Sequence, residues 1–456
     1  MKFKKILASL TAGVAMLAAA GTALATSYEV NIFGSSAQGT MWNSVATPYL
    51  QNVVCPGGTA TQVQSDSNDV ATYIDCSSNH YVIRVSSYPS YDGIYALNGS
   101  AGSTSDGTLS TEVCKSGDLN YDTWVANGSD GHYRRMTDET NCPTSTSCGF
   151  TCVRTIIGAS DVAGSSFQQS SIGDQNYPAG SIINRNFTGI DTSNLTAAPN
   201  LLVVPYAFFV NTSSSLNTAM SNNITRMMAV VLFSGQIANW NQLGVNYPTL
   251  PVTLCMRHAG SGSHATLDFA VVRGNGWGKL LASAQNAPGQ VKVKGVLAAY
   301  NSSLPNIYFE DGTTAERTCI NTYAGAIGYL DADQQLIMAS KAPNIAALTY
   351  QGQAPTAEAI YYGRYDFWTN EQAYYDKTYL NGLTDQTLAG LVSGSSIPGI
   401  LTWIGNTGNI YNNVGAGAAG TESYYWAEQS QMIYEKGTDQ TYPSYTGNIA
   451  GLPKQL

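Results

Sequence analysis

Residues 255–269 read Cys-Met-Arg-His-Ala-Gly-Ser-Gly-Ser-His-Ala-Thr-Leu-Asp-Phe, an arginine followed by a run of small residues and then an apolar stretch. Gly260, Ser261, Gly262 and Ser263 form the kind of turn that lets an oxyanion approach backbone N–H groups, with serine hydroxyls as further short donors. Arg257 adds a planar fork that fits two oxygens of a phosphate or a carboxylate. Two more turns have the same design, Gly34-Ser35-Ser36 and Gly158-Ala159-Ser160-Asp161. A fourth small-residue loop runs from Asn98 to Gly102 and contains Ser100. A helix start after such a turn offers unpaired N–H groups and the positive end of the helix dipole. Taken singly, each turn also reads as an ordinary N-cap, and Arg257 as a structural ion pair.

Catalysis has less support in these residues. The nucleophile-elbow spacing Gly-x-Ser-x-Gly is absent, because the position four beyond Gly260 is His264. His258 or His264 beside Ser261 or Ser263 lacks the acid that would complete a triad, so the two read as a strand-end residue and a first-turn helix residue. The chain has four histidines, His80, His132, His258 and His264, which gives no pattern for a metal centre, and no cofactor is expected.

These turns need strands that deliver them and helices that follow. "SYEVNIFG" reads as a strand, and Met41/Trp42, Val45/Ala46 and Tyr49/Leu50 recur as one helix face requires. "VRTIIGASDVAGSSF" reads as strand and turn, and "NLLVVPYAFFVN" as a strand covered on both faces. "NITRMMAVVLFSGQIANWNQL" predicts a helix ending near Ser234-Gly235, and "TYAGAIGYLDA" a turn and a buried strand. Alternating strands and helices predict an α/β protein with mostly parallel sheets. Residues 51–155 carry six of the eight cysteines and little periodicity, and are expected to be an ornament stapled by disulfides.

The first 25 residues have a basic start, an apolar core and a small-x-small end, the pattern of a signal peptide cleaved after Ala25. The expected product is periplasmic or secreted and not embedded in a membrane. In that compartment an even number of cysteines reads as disulfides, and the spacing of Cys142, Cys148 and Cys152 suits zinc poorly. The full chain has 21 basic and 30 acidic residues. Losing Lys2, Lys4 and Lys5 leaves 18 and 30, a net charge of −12, which speaks against a nucleic-acid partner.

The order of these motifs resembles the phosphate-binding proteins of bacterial phosphate ABC transporters. The matching segments are Gly235-Gln236-Ile237-Ala238-Asn239-Trp240-Asn241, Arg257 to Ser263, and Gly325-Ala326-Ile327-Gly328-Tyr329, with Gly158 to Asp161 and Phe33 to Gln38 before them. The resemblance implies a two-lobed type II periplasmic binding protein fold with a disulfide-rich insertion in lobe one. Lobe one would be 27–203 plus 335–456, with the insertion at about 51–155, and lobe two 204–334. The implied ligand set is Ser36, Ser100, Asp161, Arg257, Ser261, Gly262 and Ser263, and the implied disulfide in lobe two is Cys255 with Cys319. The implied function is to bind a small tetrahedral oxyanion, phosphate first, for uptake by an ABC permease, as a monomer and without catalysis. Asp161 would accept the proton of the bound anion. The family usually has an acid two residues after the arginine; here that position is Ala259, so Arg257 is expected to be less firmly oriented. The alternative is a secreted interaction or adhesion protein that reuses the fold with a degenerate anion site.

Overall fold

The computed structural model describes residues 26–99, 112–169, 187, 189–198, 201–273, 306–336, 338–395, 398–405 and short pieces between 427 and 445. The signal-peptide residues 1–25 and Ser100 lie outside the described residues. Among the described residues no helix is long and apolar enough to cross a membrane.

Two mixed sheets organise the chain. The first unit supplies β1 (Thr26–Ser35), β2 (Thr61–Gln64), β3 (Asp69–Cys76), β4 (Asn79–Tyr88), β5 (Tyr133–Asp138), β6 (Gly149–Arg154), β7 (Ile157–Ser160) and β8 (Thr196–Ala197). The second supplies β9 (Leu202–Asn211), β10 (Asn223–Ile224), β11 (Thr253–Arg257), β12 (Asn306–Glu310), β13 (Ala326–Asp331), β14 (Ile345–Tyr350) and β15 (Trp368–Asn370), after which β16 (Gln372–Tyr375) returns to the first. The first sheet runs β2-β3-β4-β1-β7-β16-β8, and the second β10-β14-β9-β13-β11-β12 with β15 also on β9. β1 pairs in parallel with β4 and β7, as β11 does with β12 and β13, so their C-terminal turns gather at one end of each sheet.

The expected helix after β1 is present as Gly39–Tyr49, and Met41, Trp42, Val45, Ala46 and Tyr49 are all buried. This is the apolar stripe that packs a helix on a sheet. The apolar run 202–211 is a strand buried along its whole length, but it is antiparallel to β13, β14 and β15 rather than parallel. The helix Arg226–Phe233 ends where expected, with Ser234 at its C-cap and Gly235 at φ 73°.

Two expectations about organisation are corrected. Residues 51–155 are not all ornament, because β4 pairs with β1 along ten residues and the helix Ser90–Leu97 packs against β1 and β7. The sequence looked irregular there because its interior is polar. Buried Arg84 sits between Glu29 and Glu139, each 2.8 Å away, and buried Arg134 lies 3.2 Å from Asp92. These pairs satisfy charges that could not otherwise be buried, and they interrupt the apolar alternation that marks a strand. The β5–β6 hairpin is the true addition, docked by these ion pairs and closed at its turn by Cys142–Cys148. Cys55–Cys76 and Cys114–Cys152 staple the rest of this region, and Cys255–Cys319 ties β11 to the helix Thr313–Thr322. The second correction concerns the tail. β14 and β15 belong to the second sheet through pairing with β9, so the chain returns to the first sheet at Glu371 and not near residue 335.

Gly93 shows how tightly the helix Ser90–Leu97 lies on this sheet. A Cβ there would stand 2.5 Å from the Ala159 carbonyl oxygen and 2.6 Å from that of Phe33, both backbone atoms that cannot swing away. Gly93→Ala should therefore cost about 1–3 kcal/mol, read as a lower denaturant midpoint at unchanged slope. An unchanged midpoint would refute this close approach.

Candidate functional site

The turns after β1, β7 and β11 meet between the two sheets. Arg257 ends β11 and is 2 % exposed. Its backbone N–H donates to the Tyr329 hydroxyl at 3.1 Å, which fixes the residue at the strand end. Its Nη1 donates to Thr313 Oγ1 at 3.3 Å and across the gap to Ser36 Oγ at 3.4 Å, and Nη2 donates to the Asp311 carbonyl at 3.2 Å. Nε is buried with no hydrogen-bond partner among the described residues. The absence of an acid at Ala259 therefore does not leave Arg257 loose. Neutral oxygens hold the fork, and the carboxyls of Glu316, Asp331 and Asp161, raised by burial, are pulled back toward their charged form by the guanidinium.

Ser36 follows Ser35, whose φ of 22° turns the chain sharply after β1. Ser35 Oγ accepts from Gln38 N–H at 3.2 Å and donates to Asp161 Oδ1. Gln38 Nε2 donates to the Ser160 carbonyl at 2.9 Å and the Gln372 carbonyl at 3.2 Å, and its Oε1 accepts from Trp42 at 2.8 Å. One amide thus clasps the ends of β1, β7 and β16.

Asp161 is buried just beyond β7, with its backbone carbonyl accepting from Thr369 Oγ1 at 2.7 Å. Burial raises its carboxyl above the usual range, while hydrogen bonds from Ser35 and Ser90 and the charge of Arg257 pull it back. It faces the turn from the other sheet directly: a Cβ on Gly262 would be 2.5 Å from Asp161 Cβ. The absence of a side chain at Gly262 is what permits this contact. Ser261 and Ser263 are buried beside it, with hydroxyl oxygens 2.7 Å apart. Gly260 N–H donates to His258 Nδ1 at 3.0 Å, and His264 Nδ1 lies 2.7 Å from the Tyr329 hydroxyl. Both histidines thus brace the turn.

The structure therefore brings together Ser36, Asp161, Arg257, Ser261, Gly262 and Ser263. Sequence reasoning missed Ser90. Its Oγ accepts from the backbone N–H of both Asp161 and Gly262, each at 3.3 Å, and Tyr91 N–H donates to the Gly260 carbonyl at 3.2 Å. The start of the helix Ser90–Leu97 is thus a bridge between the sheets. The available signal was the pattern of "YVIRVSSYPSYDGIYAL", a strand, a proline and a serine at a helix start. Thr313, Asp331 and Glu371 were missed as well. Thr313 donates to Asp331 Oδ2 at 3.4 Å and shares Arg257.

Glu371 marks the crossover back to the first sheet and is 2 % exposed. Burial above all, then the charge of Asp161, pushes its carboxyl well above its usual value of 4.5, with Gln38 opposing and Asp331 adding. A carboxyl raised in the folded state stabilises the fold while protonated and loses that contribution as pH rises through its folded value. Glu371→Gln should match wild type near pH 4 and gain on it above pH 4.5, by up to about 1.4 kcal/mol per pH unit. Melting curves of both proteins across pH would check this, and a pH-independent difference would refute it.

Residues 191–394 match the profile of a PBP superfamily domain. No curated protein matches the sequence. Among solved structures, the chain is similar to a putative phosphate ABC transporter substrate-binding protein with bound phosphate from Clostridium perfringens, at 14% identity and TM-score 0.39 over 81% of this chain and 96% of that one. It is also similar to an ABC-type phosphate transport receptor from Vibrio cholerae, at 13% identity and TM-score 0.34 over 79% and 90%. The matched span runs from just before β8 through the second sheet to the return into the first. The chain thus combines two mixed α/β sheets and a disulfide-rich addition on the first with a segment, residues 191–394, that is similar to a PBP superfamily domain.

Proposed function

We propose that this protein is an exported solute-binding protein that holds a small tetrahedral oxyanion, phosphate first, between its two lobes and delivers it to an ABC permease without turnover. The observation that carries the reading is Arg257. A buried guanidinium spans from the second sheet to Ser36 of the first, with Nε still lacking a partner among the described residues. Ser36, Ser261, Ser263 and the backbone N–H groups near Gly262 offer the remaining donors for tetrahedral oxygens.

Asp161 gives the reading its selectivity. A carboxylate among anion oxygens is repulsive unless the ligand brings a proton for it. Phosphate near neutral pH carries one, with a second pKa at about 6–7, comparable to phosphoserine; sulfate does not. The neighbouring Asp331 shares Arg257 with Asp161, and buried Glu371 adds a further acid beside it, which sharpens the demand for a proton at this place. The proposed lobes are the unit around the first sheet, with β16, and the unit from β9 to β15, meeting where β9 begins at Leu202 and at Glu371. The protein is read as a monomer acting in the periplasm or outside the cell.

Calorimetric titration of protein stripped of ligand by unfolding and refolding tests this with phosphate, arsenate and sulfate at neutral pH. Phosphate and arsenate should bind and sulfate stay silent; silence with all three from folded protein would refute the reading. Arg257→Ala should weaken phosphate binding by at least about a hundredfold, and near-normal affinity would remove Arg257 from the site. Asp161→Asn should lower the phosphate-to-sulfate affinity ratio by about tenfold or more; an unchanged ratio would reduce Asp161 to a structural acceptor.

A further inference from the structure

At the opposite end of β1 from Ser36 lies a second cavity, of about 470 Å³, that the anion reading does not use. Tyr28 stands seven residues before Ser35 on the strand, about 23 Å away. The cavity is framed by the first half of β1, by β6, by the helix Tyr121–Ala126 and by the helical segments that carry Tyr379 and Leu388. Its size falls in the range of small-ligand sites, about 300–1,000 Å³.

The lining combines two kinds of surface. Tyr28, Trp124, Tyr133 and Tyr379 are half-buried aromatic walls. Tyr28 is backed by Tyr81, with ring centroids 5.3 Å apart, and Trp124 is pinned by its Nε1 donating to the Asp130 carbonyl at 2.9 Å. Between the rings stand planar polar groups. Asn120 donates to Thr151 Oγ1 at 3.3 Å, Asn127 is exposed at the end of its helix, and Asp385 accepts from the Tyr28 hydroxyl at 2.7 Å. The Arg154 guanidinium lies 4.0 Å over the Tyr379 ring, and its Nε is buried with no partner among the described residues.

The charges of this lining are largely answered within the protein. Glu29 is paired with Arg84 at 2.8 Å and Arg154 with Asp130 at 3.1 Å. Of the charged lining groups, Asp385 alone has no ion pair among the described residues, but it already accepts from the Tyr28 and Thr387 hydroxyls. An apolar ligand would shut water away from exposed Asn127, Asp385 and the Arg154 guanidinium, at a cost that hydrogen-bonding ligands avoid. What fits both surfaces is a neutral molecule with an apolar face and a rim of hydroxyls, each of which donates and accepts.

We propose that this cavity is a binding site for a neutral saccharide, one face of the sugar ring stacked on the aromatic walls and its hydroxyls bonded to Asn127, Asp385 and Arg154. The proposal is independent of the anion site, since the two lie at opposite ends of β1. It gives the disulfide-stapled region a task, because the helix Tyr121–Ala126 and β6 build two of the walls.

Saturation-transfer NMR of the protein with glucose, galactose, N-acetylglucosamine, cellobiose and chitobiose tests it. At least one of these sugars should receive transfer to its ring protons. Trp124→Ala and, separately, Asn127→Ala should weaken the binding of that sugar by about tenfold, with the melting temperature of the exposed-site variant Asn127→Ala unchanged. Transfer to none of the five sugars would overturn the proposal, as would transfer undiminished in both variants. Phosphate titration of the same variants should match wild type, which keeps the result separate from that for the anion site.

Discussion

The arrangement between the two sheets depends on keeping one charge dry. The Arg257 guanidinium is buried, and a buried cation is tolerable only with close hydrogen bonds and compensating charge. The fold meets both needs from several directions. The Asp311 carbonyl and Thr313 come from the segment after β12, Ser36 from the turn after β1, and the carboxyls of Glu316, Asp331 and Asp161 surround them. Burial pushes these carboxyls toward protonation, and the guanidinium opposes that push by favouring their charged form. This explains why an acid at position 259 is dispensable. Residues far apart in sequence supply the field that a single neighbour would otherwise provide.

The parts of this site that could be read in the sequence were the local ones. Arg257, Gly260 to Ser263 and Asp161 sit in short strand-turn-helix segments whose small residues announce a close backbone approach. The helix Gly39–Tyr49 and the strand Leu202–Asn211 were legible because burial imposes a period or a continuous apolar run. What was hidden depended on partners distant in sequence. β4 looked like surface because Arg84 at its centre is neutralised by Glu29 and by Glu139, fifty-five residues away along the chain in each case. Ser90 looked like any helix start, since its importance comes from two N–H groups on two other turns. The late return to the first sheet at Glu371 was likewise invisible, because "IAALTY" does not say which strand it will join, and β9 is long enough to accept β14 and β15 in succession along one edge.

The disulfide-stapled region has a divided character. Its strands β2 to β4 extend the first sheet, while the hairpin β5–β6 is held on by ion pairs and cystines rather than by a large apolar core. Such a design favours a protein made where thiols are oxidised, as a hairpin this polar gains little from burial alone.

The Gln38 amide joins the ends of three strands of the first sheet, and the indole of Trp42 locks that amide from behind. Ser36 and Asp161 are consequently parts of a single braced unit rather than of two independent loops. Were an anion captured there as proposed, few torsions on this side would remain to be frozen, and the entropy cost would fall elsewhere than on a floppy rim.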